Sequence, residues 1–294
     1  MIKARRPIMA GSIGPMIIVA VIALALYWPL MLWVNAGAAQ RSLDSGADLG
    51  CATAIACATQ LRNPVLPAPA QLGSSLRTMS LPPMAPTSVP YNTLVTAGET
   101  IVGLLIASVL GILLAVGLVG SRAFERVTLP WLIASQTVPV IALAPMLAVV
   151  LGQYGVQGWL PKALIAAYIA FFPVAVGVAA GLRSPDPMQE DLLITYRASG
   201  WQTFWKLRLP ASLPFLFTSL KVAATAALIG SIVAEISTIS FSGLGKMLAE
   251  NSRASDTLAL WVIMLYGAGL GIALVAVLGL IERLVTPWRA GQSR

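Results

Sequence analysis

The 294-residue sequence has no histidine, only two cysteines and few charged residues, which make up 10% of it. The lack of histidine excludes histidine-based acid–base catalysis, histidine metal sites and axial haem ligation by histidine. Two cysteines cannot build a four-thiolate metal site, so we expect no metal in this chain. Soluble domains carry about 25% charged residues. Such a low charge content, with 57% hydrophobic residues, indicates that lipid surrounds most of the chain.

Several functional motifs are missing as well. No phosphate-binding G-x-x-x-x-G-K-[ST] loop occurs, and the nearest string, Gly243–Lys246, lacks its spacing. Neither a nucleophile–base pair nor the repeated intramembrane carboxylates of a proton relay can be recognised. We therefore expect no catalytic residue, cofactor or nucleotide site in this chain. The net charge of +8 is scattered over the span ends, which favours membrane lipid over nucleic acid as a partner.

Six segments are long and apolar enough to cross about 30 Å of hydrocarbon. They predict an all-α, polytopic membrane protein with spans at Ile13–Val34, Thr93–Val119, Leu129–Leu151 (interrupted by Pro139 and Pro145), Pro161–Leu182, Pro214–Ile236 and Leu258–Val285. The first span, preceded by Lys3, Arg5 and Arg6, could also be a secretory signal, but its apolar run exceeds the usual signal core. Most basic residues then fall on the side of the N-terminus, which predicts that both termini and the 183–213 segment are cytoplasmic.

Residues 1–90 are expected to hold the first span and a long extracytoplasmic loop rich in alanine and proline. Residues 91–288 would form the transmembrane core, and 289–294 a cytoplasmic tail. Cys51 and Cys57 lie in the loop, where an oxidising periplasm would allow a disulfide. Two packed thiols are the alternative, since a helical i,i+6 pair is poorly placed for a bond.

Polar groups at membrane depth are candidates for a substrate path. Gln136 and Thr137 precede Pro139, where the missing N–H predicts a kink. Glu235 lies near the outer end of the fifth span and could face a water-filled path. Glu99 is expected to reach the outer interface, and Lys221 to extend towards the cytoplasmic surface.

The segment from Asp191 to Pro214 is the most informative part of the sequence. Trp201, Phe204, Trp205 and Leu209 recur at helical spacing among basic residues, which predicts an amphipathic helix followed by a Leu-Pro stop. A cytoplasmic helix with its own apolar face is suited to bind a partner. The alternative is that its aromatic residues pack against the helix ends of this chain.

This segment resembles the cytoplasmic "EAA" loop of binding-protein-dependent ABC-importer permeases. Asp191-Leu-Leu stands in place of the family's Glu-Ala-Ala, and Leu207-Arg-Leu-Pro210 ends the motif at the family spacing. Arg197 stands where the family has glycine, which removes a turn-permissive residue. Residues 137–152, Ala234-Glu235 and Gly243-Leu-Gly245 are similar to the nitrate/sulfonate/taurine branch. Residues 205–214 with 220–224 also resemble permeases for pyrimidine- or hydantoin-type heterocycles.

The resemblance implies a half-transporter in the bacterial inner membrane. A dimer of cytoplasmic ABC ATPases, which bind ATP and Mg²⁺, would contact the coupling residues Asp191, Arg197, Ser199, Gly200, Trp201, Phe204, Trp205, Leu209 and Pro210. A second permease chain, identical or related, would complete the path, and an extracytoplasmic binding protein would deliver a small polar solute. A secondary transporter and an assembly subunit of a membrane complex are the alternative functions.

Overall fold

The computed structural model describes residues 10–44, 51, 53–238 and 240–287. Its helices are α1 Ala10–Asp44, α2 Ala54–Cys57, α3 Pro69–Ser80, α4 Val89–Gly120, α5 Arg122–Ser135, α6 Val140–Gln153, α7 Trp159–Leu182, α8 Pro187–Thr195, α9 Gly200–Thr203, a π-helical turn Phe204–Arg208, α10 Leu209–Ser237, α11 Leu244–Arg253 and α12 Thr257–Val285. The all-α prediction is confirmed, with no strand among these residues. Lys3, Arg5, Arg6 and the 289–294 tail lie outside the described residues.

The third predicted span is not one straight helix. Five helices are long and apolar enough to cross a membrane, and α5 with α6 forms a sixth candidate that is bent by 99°. The bend lies between Ser135 and Val140, where Pro139 is the extended N-cap residue of α6. Because proline has no N–H to continue the helical ladder, the chain breaks here and restarts with α6. The predicted interruption at Pro139 is thus a broken span or a re-entrant pair, while Pro145 is accommodated inside α6.

The chain divides into two compact units, one from residues 1–79 with Asn251–Val262 and one from residues 80–250 with 263–294. In the first, α1 packs against α2, and Cys51 and Cys57 are joined by a disulfide. Cys51 precedes the helix that Cys57 ends, so the two cysteines are not the helical i,i+6 pair considered above. Asn35 is fully buried and holds the following loop by donating to the carbonyls of Ala58 and Leu66.

The second unit is built around α4, α7 and α10, which form its main hydrophobic core. Small residues let these helices approach closely. A Cβ on Gly177 would lie 2.5 Å from the Cβ of Ser219, and one on Gly181 would lie 2.8 Å from the Cβ of Phe215. This packing within the chain joins α7 to α10 along the length that leads to the 187–210 segment.

Candidate functional site

Two short helices and a turn form the segment that the sequence identifies as a coupling surface. Asp186 caps α8 by accepting from the N–H of Met188, and Ser199 caps α9 in a reciprocal capping box with Gln202. Gly200 is the first residue of α9, and Asp191 is exposed on α8. Each cap satisfies N–H groups that have no partner inside the helix, so the sequence itself fixes where both helices begin.

The turn between α8 and α9 passes through Arg197, whose φ is +52°. This left-handed backbone is the conformation that glycine adopts without steric cost. The N–H of Arg197 donates to the carbonyl of Ile194, and that of Ala198 to the carbonyl of Leu193, as expected for a turn that ends a helix. The chain therefore keeps a glycine-type turn although it has an arginine at this position.

The predicted Leu-Pro stop at Leu209 and Pro210 is wrong. The chain is helical without a break from Gly200 to Ser237, and Pro210 lies in the first turn of α10. The N–H of Leu209 donates to the carbonyl of Phe204, five residues earlier, in the π-helical turn. The wider turn brings the chain past a residue without an N–H. The coupling segment is consequently a direct extension of α10.

The three aromatic residues of this extension form one cluster with different surroundings. The ring centroid of Trp201 lies 6.4 Å from that of Phe204 and 5.4 Å from that of Trp205, and the Phe204–Trp205 distance is 5.8 Å. Trp201 and Trp205 are 70% and 50% exposed. Phe204, however, packs against the main hydrophobic core. Its position fits the alternative of packing within this chain, whereas the two tryptophans offer an uncovered apolar surface.

An ion pair joins α8 to the π-helical turn. Arg208 donates from Nε to Oε1 of Glu190 at 3.0 Å, and its terminal guanidinium nitrogen lies at the same distance from that oxygen. No pattern in the sequence indicates this pair. Both side chains are about one-third exposed, so the pair is a positioning contact rather than a major source of stability.

The predicted substrate-path residues lie in different places. Gln136 lines a cavity of about 680 Å³ between α7 and α10, together with Phe172, Phe215 and Thr218. Thr137 and Pro139 are exposed at the bend between α5 and α6. Glu235 is 2% exposed and accepts from the hydroxyl of Thr96 and the N–H of Gly245. It is among the lining residues of neither the 680 Å³ cavity nor a second cavity of about 570 Å³ in this unit, and its place on a substrate path stays a prediction.

A buried polar cluster, which the sequence did not predict, surrounds Glu235. Glu99, expected at the interface, is 2% exposed and pairs with Lys162 at 2.6 Å. Asn92 accepts from the N–H of Gly243, and Thr96 from the N–H of Leu244. The expectation for Glu99 was wrong because depth along a span does not reveal a buried partner on another helix. A signal was present, since Asn92, Thr96, Glu99 and Thr100 recur on one face of an otherwise apolar helix.

Lys221 also has a partner that the sequence did not reveal. It lies 2.5 Å from Glu282 of α12 and is about one-third exposed. The expectation that Lys221 only reaches towards the cytoplasmic surface is therefore incomplete, because its ammonium group pairs with an acidic side chain on another span.

Comparison with known proteins gives a consistent group of relatives. Residues 107–290 match the family "Binding-protein-dependent transport system inner membrane component". The chain is 34% identical over 191 residues to the formylaminopyrimidine transport permease protein ThiX of Halalkalibacterium halodurans, covering 65% of this chain and 74% of ThiX. It is 31% identical over 173 residues to the riboflavin transport system permease protein RibX of Chloroflexus aurantiacus, covering 58% of this chain and 61% of RibX.

More distant likenesses extend the group. The putative aliphatic sulfonates transport permease protein SsuC of Bacillus subtilis is 28% identical over 187 residues, which are 64% of this chain and 66% of SsuC. The crystal structure of an amino acid ABC transporter with histidines is similar in fold, with a TM-score of 0.56 at 16% identity. That match covers 71% of this chain and 97% of the other.

Proposed function

Because this chain belongs to the family of binding-protein-dependent transport system inner membrane components, and is thus a multi-pass inner-membrane permease of an ABC importer, we propose that its 187–210 segment couples the permease to a cytoplasmic ATPase. The observation that carries this proposal is the pair of uncovered tryptophans, Trp201 and Trp205, on a helix continuous with α10. Exposed aromatic side chains contribute much of the binding energy of interfaces.

The continuity of the helices supports a path by which motion would pass from this surface into the membrane. A helix without a break from Gly200 to Ser237 transmits a displacement of its first turn along its whole length. Arg208 and Glu190 tie α8 to that helix, so both short helices move with it. The close approach of α7 and α10 at Gly177 and Gly181 passes the displacement on to α7. An ATPase cleft that closes on Trp201 and Trp205 would thereby tilt two spans together.

The remaining partners follow from this role. ATP and Mg²⁺ belong to the ATPase, which acts as a dimer and turns over outside this chain. An extracytoplasmic binding protein delivers the solute, and a second permease chain, in the simplest case another copy of this one, completes the path. Gly267 and Gly269 of α12 have no neighbouring atom of the described chain within 4 Å of an added Cβ, which supports helix packing against a further chain. In this arrangement both termini are cytoplasmic.

The transported solute is small and polar. Named relatives of this chain transport formylaminopyrimidine and riboflavin, and others are named for aliphatic sulfonates and nitrate. The higher identities to the first two support a heterocyclic solute over an inorganic anion or a sulfonate.

The proposal is tested by copurification. The full chain is coexpressed with a cognate ABC ATPase, and Trp201→Ala/Trp205→Ala is compared with wild type for ATPase recovery and ATP-dependent uptake in vesicles. Trp28→Ala/Trp33→Ala is the matched control, since these tryptophans of α1 are 49% and 78% exposed. We expect the first variant to lose ATPase recovery at least tenfold while still inserting in the membrane, and the control to retain it. Normal recovery of the ATPase with Trp201→Ala/Trp205→Ala would refute the docking surface.

A further inference from the structure

The short helix α11 begins without a capping side chain of its own. The first four N–H groups of a helix have no partner inside it, and many helices satisfy one of them with a polar side chain at the N-cap. Gly243 precedes Leu244, the first residue of α11, and glycine has no side chain. Acceptors for the first turn of α11 therefore have to come from other parts of the chain.

The span α4 supplies two of these acceptors. Oδ1 of Asn92 accepts from the N–H of Gly243 at 2.7 Å. Oγ1 of Thr96, one turn further along α4, accepts from the N–H of Leu244 at 2.9 Å. Two consecutive N–H groups at the start of α11 are thus bound by one face of α4.

Glu235, two residues before the end of α10, supplies the third acceptor. Its Oε2 accepts from the N–H of Gly245 at 2.5 Å, and its Oε1 accepts from the hydroxyl of Thr96 at 2.7 Å. One carboxyl group therefore joins α10, α4 and α11. Asn92, Thr96 and Glu235 are at most 2% exposed, so bulk water does not compete for these bonds. We call these three residues the α11 anchor.

The backbone at the start of α11 approaches α10 more closely than a side chain would allow. A Cβ on Gly243 would lie 2.2 Å from Cδ of Glu235, and one on Gly245 would lie 2.3 Å from the carbonyl oxygen of Ile232. Gly243 also has a φ of +116°, a conformation that favours glycine. The glycines on both sides of Leu244 thus permit direct contact between α11 and α10.

The helix α10 connects this contact to the coupling segment. The chain is helical without a break from Gly200 to Ser237, and Glu235 lies about 50 Å from Gly200 along this helix at 1.5 Å per residue. A displacement of the first turn is therefore carried to Glu235. The helix α11 follows it because its own first turn is bound to the same carboxyl group. In the arrangement proposed above, α11 lies on the extracytoplasmic side.

The connection between α10 and α11 forms part of the wall of the 570 Å³ cavity. Thr238, Ser240 and Phe241 line this cavity together with Pro145 and Val149 of α6. The helix α6 packs outside the main hydrophobic core of α4, α7 and α10. A movement of α11 and its connection relative to α6 would therefore widen or narrow the cavity.

We propose that Asn92, Thr96 and Glu235 are positioning residues for transport, which hold α11 on α4 and α10 so that a displacement of the coupling segment moves α11 relative to α6. The inference rests on the proposed coupling function and extends it to the opposite end of α10. If the α11 anchor only stabilised the fold, α11 would not respond to the nucleotide bound by the ATPase.

The test uses three substitutions on one face of α4. Thr96→Val keeps the shape of the side chain and removes the hydroxyl that contacts Leu244 and Glu235. Thr96→Ser keeps the hydroxyl and should behave as wild type. Thr100→Val is the matched control, because Thr100 is also fully buried and its hydroxyl donates to Ser231 of α10 rather than to α11.

The first measurement tests the α11 anchor in the full permease chain in lipid nanodiscs, without the ATPase. Hydrogen–deuterium exchange is followed in peptides that contain the N–H groups of residues 243–245. We expect exchange of these groups to be at least tenfold faster in Thr96→Val than in wild type. Thr96→Ser and Thr100→Val should change it by less than twofold.

A second variant keeps the test decisive if Thr96→Val does not fold. Asn92→Ala removes the acceptor of the Gly243 N–H and leaves the contacts of Glu235 in place. It should also accelerate exchange, by several-fold. Wild-type exchange in the folded variants would overturn the α11 anchor.

The second measurement follows the motion of α11 in the complex with a cognate ABC ATPase. Spin labels are attached through Met146→Cys of α6 and Glu250→Cys of α11, both of which are exposed positions. The two native cysteines are joined in a disulfide and do not react. Labelled chains are diluted with unlabelled ones, so that each distance measured by double electron–electron resonance lies within one chain.

Nucleotide-free complexes are compared with complexes trapped by ATP, Mg²⁺ and vanadate. We expect the mean distance to shift in wild type, Thr96→Ser and Thr100→Val, and the shift to be lost in Thr96→Val. No shift in wild type, or an unchanged shift in Thr96→Val, would overturn the proposal. An equal loss in Thr100→Val would also overturn it, because general packing of α4 against α10 would then be responsible.

The outcome is separable from that of the coupling function. A permease that recovers no ATPase refutes the docking surface, whereas the exchange measurement contains no ATPase and still tests the α11 anchor. A permease that recovers its ATPase but shows no movement of α11 refutes only the present proposal.

Discussion

Arg208 and Glu190 form an ion pair across 18 residues of chain and join α8 to the π-helical turn that precedes α10. Exposed pairs of this kind contribute between 0 and about 1 kcal/mol to stability. The Arg208–Glu190 pair matters more for the position of α8 than for stability, because α8 has no buried residue of its own to hold it in place.

Breaking this pair should therefore reduce the coupling of ATP hydrolysis to uptake while the stability of the protein changes little. We expect Glu190→Gln to lower uptake per ATP hydrolysed by several-fold, because α8 no longer follows the motion of α10. The thermal midpoint of the purified permease should change little. The measurement is substrate uptake and ATP turnover in the same proteoliposomes.

The charge-swapped double variant Glu190→Arg/Arg208→Glu is the control for this prediction. It restores an opposite-charge pair at the same place and should recover part of the coupling. If Glu190→Gln keeps the wild-type ratio of uptake to ATP turnover, the pair has no role in coupling.

The backbone at Arg197 gives a second prediction. A residue with a side chain in the left-handed region costs about 1–2 kcal/mol relative to glycine. Arg197→Gly should thus stabilise the turn by about 1 kcal/mol and retain uptake. Stability is measured by thermal unfolding in detergent, and turn order by protection of the 194–200 segment from proteolysis.

Two variants separate backbone strain from loss of the arginine side chain. Arg197→Ala removes the side chain but keeps a Cβ at φ +52°, so it should give no gain in stability. Ser255→Gly relieves a similar φ of +56° in the other compact unit, so it should stabilise without affecting coupling. Complete loss of uptake in both Arg197 variants would show that the guanidinium itself is required.

Most of the helices could be predicted because a membrane span needs a long apolar run, and such runs are visible in a single sequence. The family resemblance predicted a coupling role for the segment from Asp191 to Pro210, because the family spacing is kept there, and that role stays a prediction. Prediction failed at the prolines, because a proline can either end a helix or be accommodated in a helix that continues, and the sequence does not show which. Proline at 139 breaks the helix, whereas proline at 210 lies in a helix that continues through a π-helical turn.

The partners of buried charges could not be predicted for a different reason. Glu99 and Lys162 are 63 residues apart, and the sequence predicted only an interfacial position for Glu99. Nothing in either local pattern states which helices are neighbours. The polar face of α4 indicated that a partner exists, but only the packing of α4, α7 and α10 identifies it.

That buried pair gives a third prediction. Removal of one member leaves an uncompensated charge, which typically costs about 3–5 kcal/mol, whereas replacement of both by apolar side chains can be neutral. Lys162→Met should lower the thermal midpoint strongly, and Lys162→Met/Glu99→Leu should be more stable than Lys162→Met alone. The measurement is thermal unfolding of purified chains in one detergent.

Lys221→Met is the comparison for this series, because Lys221 is about one-third exposed in its pair with Glu282. The carboxylate that remains, Glu282, is 13% exposed compared with 2% for Glu99, so the loss should be smaller. A double Glu99/Lys162 variant that is less stable than Lys162→Met would show that the pair contributes net stability, contrary to this expectation.

The close packing of α4 and α7 gives the last prediction, with a control on the same helix. A Cβ on Gly103 would lie 2.6 Å from the Cβ of Ala166 and 2.7 Å from the carbonyl oxygen of Ala163, whereas one on Gly98 would have no neighbour within 4 Å. Because the backbone of α7 cannot yield as a flexible side chain would, Gly103→Ala should destabilise the core by about 1–3 kcal/mol. Gly98→Ala should instead stabilise α4 by up to about 1 kcal/mol, since alanine is the better helix former. The measurement is the thermal midpoint of both variants in the same detergent. Equal midpoints would contradict the prediction, because they would mean that α4 and α7 are farther apart in the membrane than this packing requires.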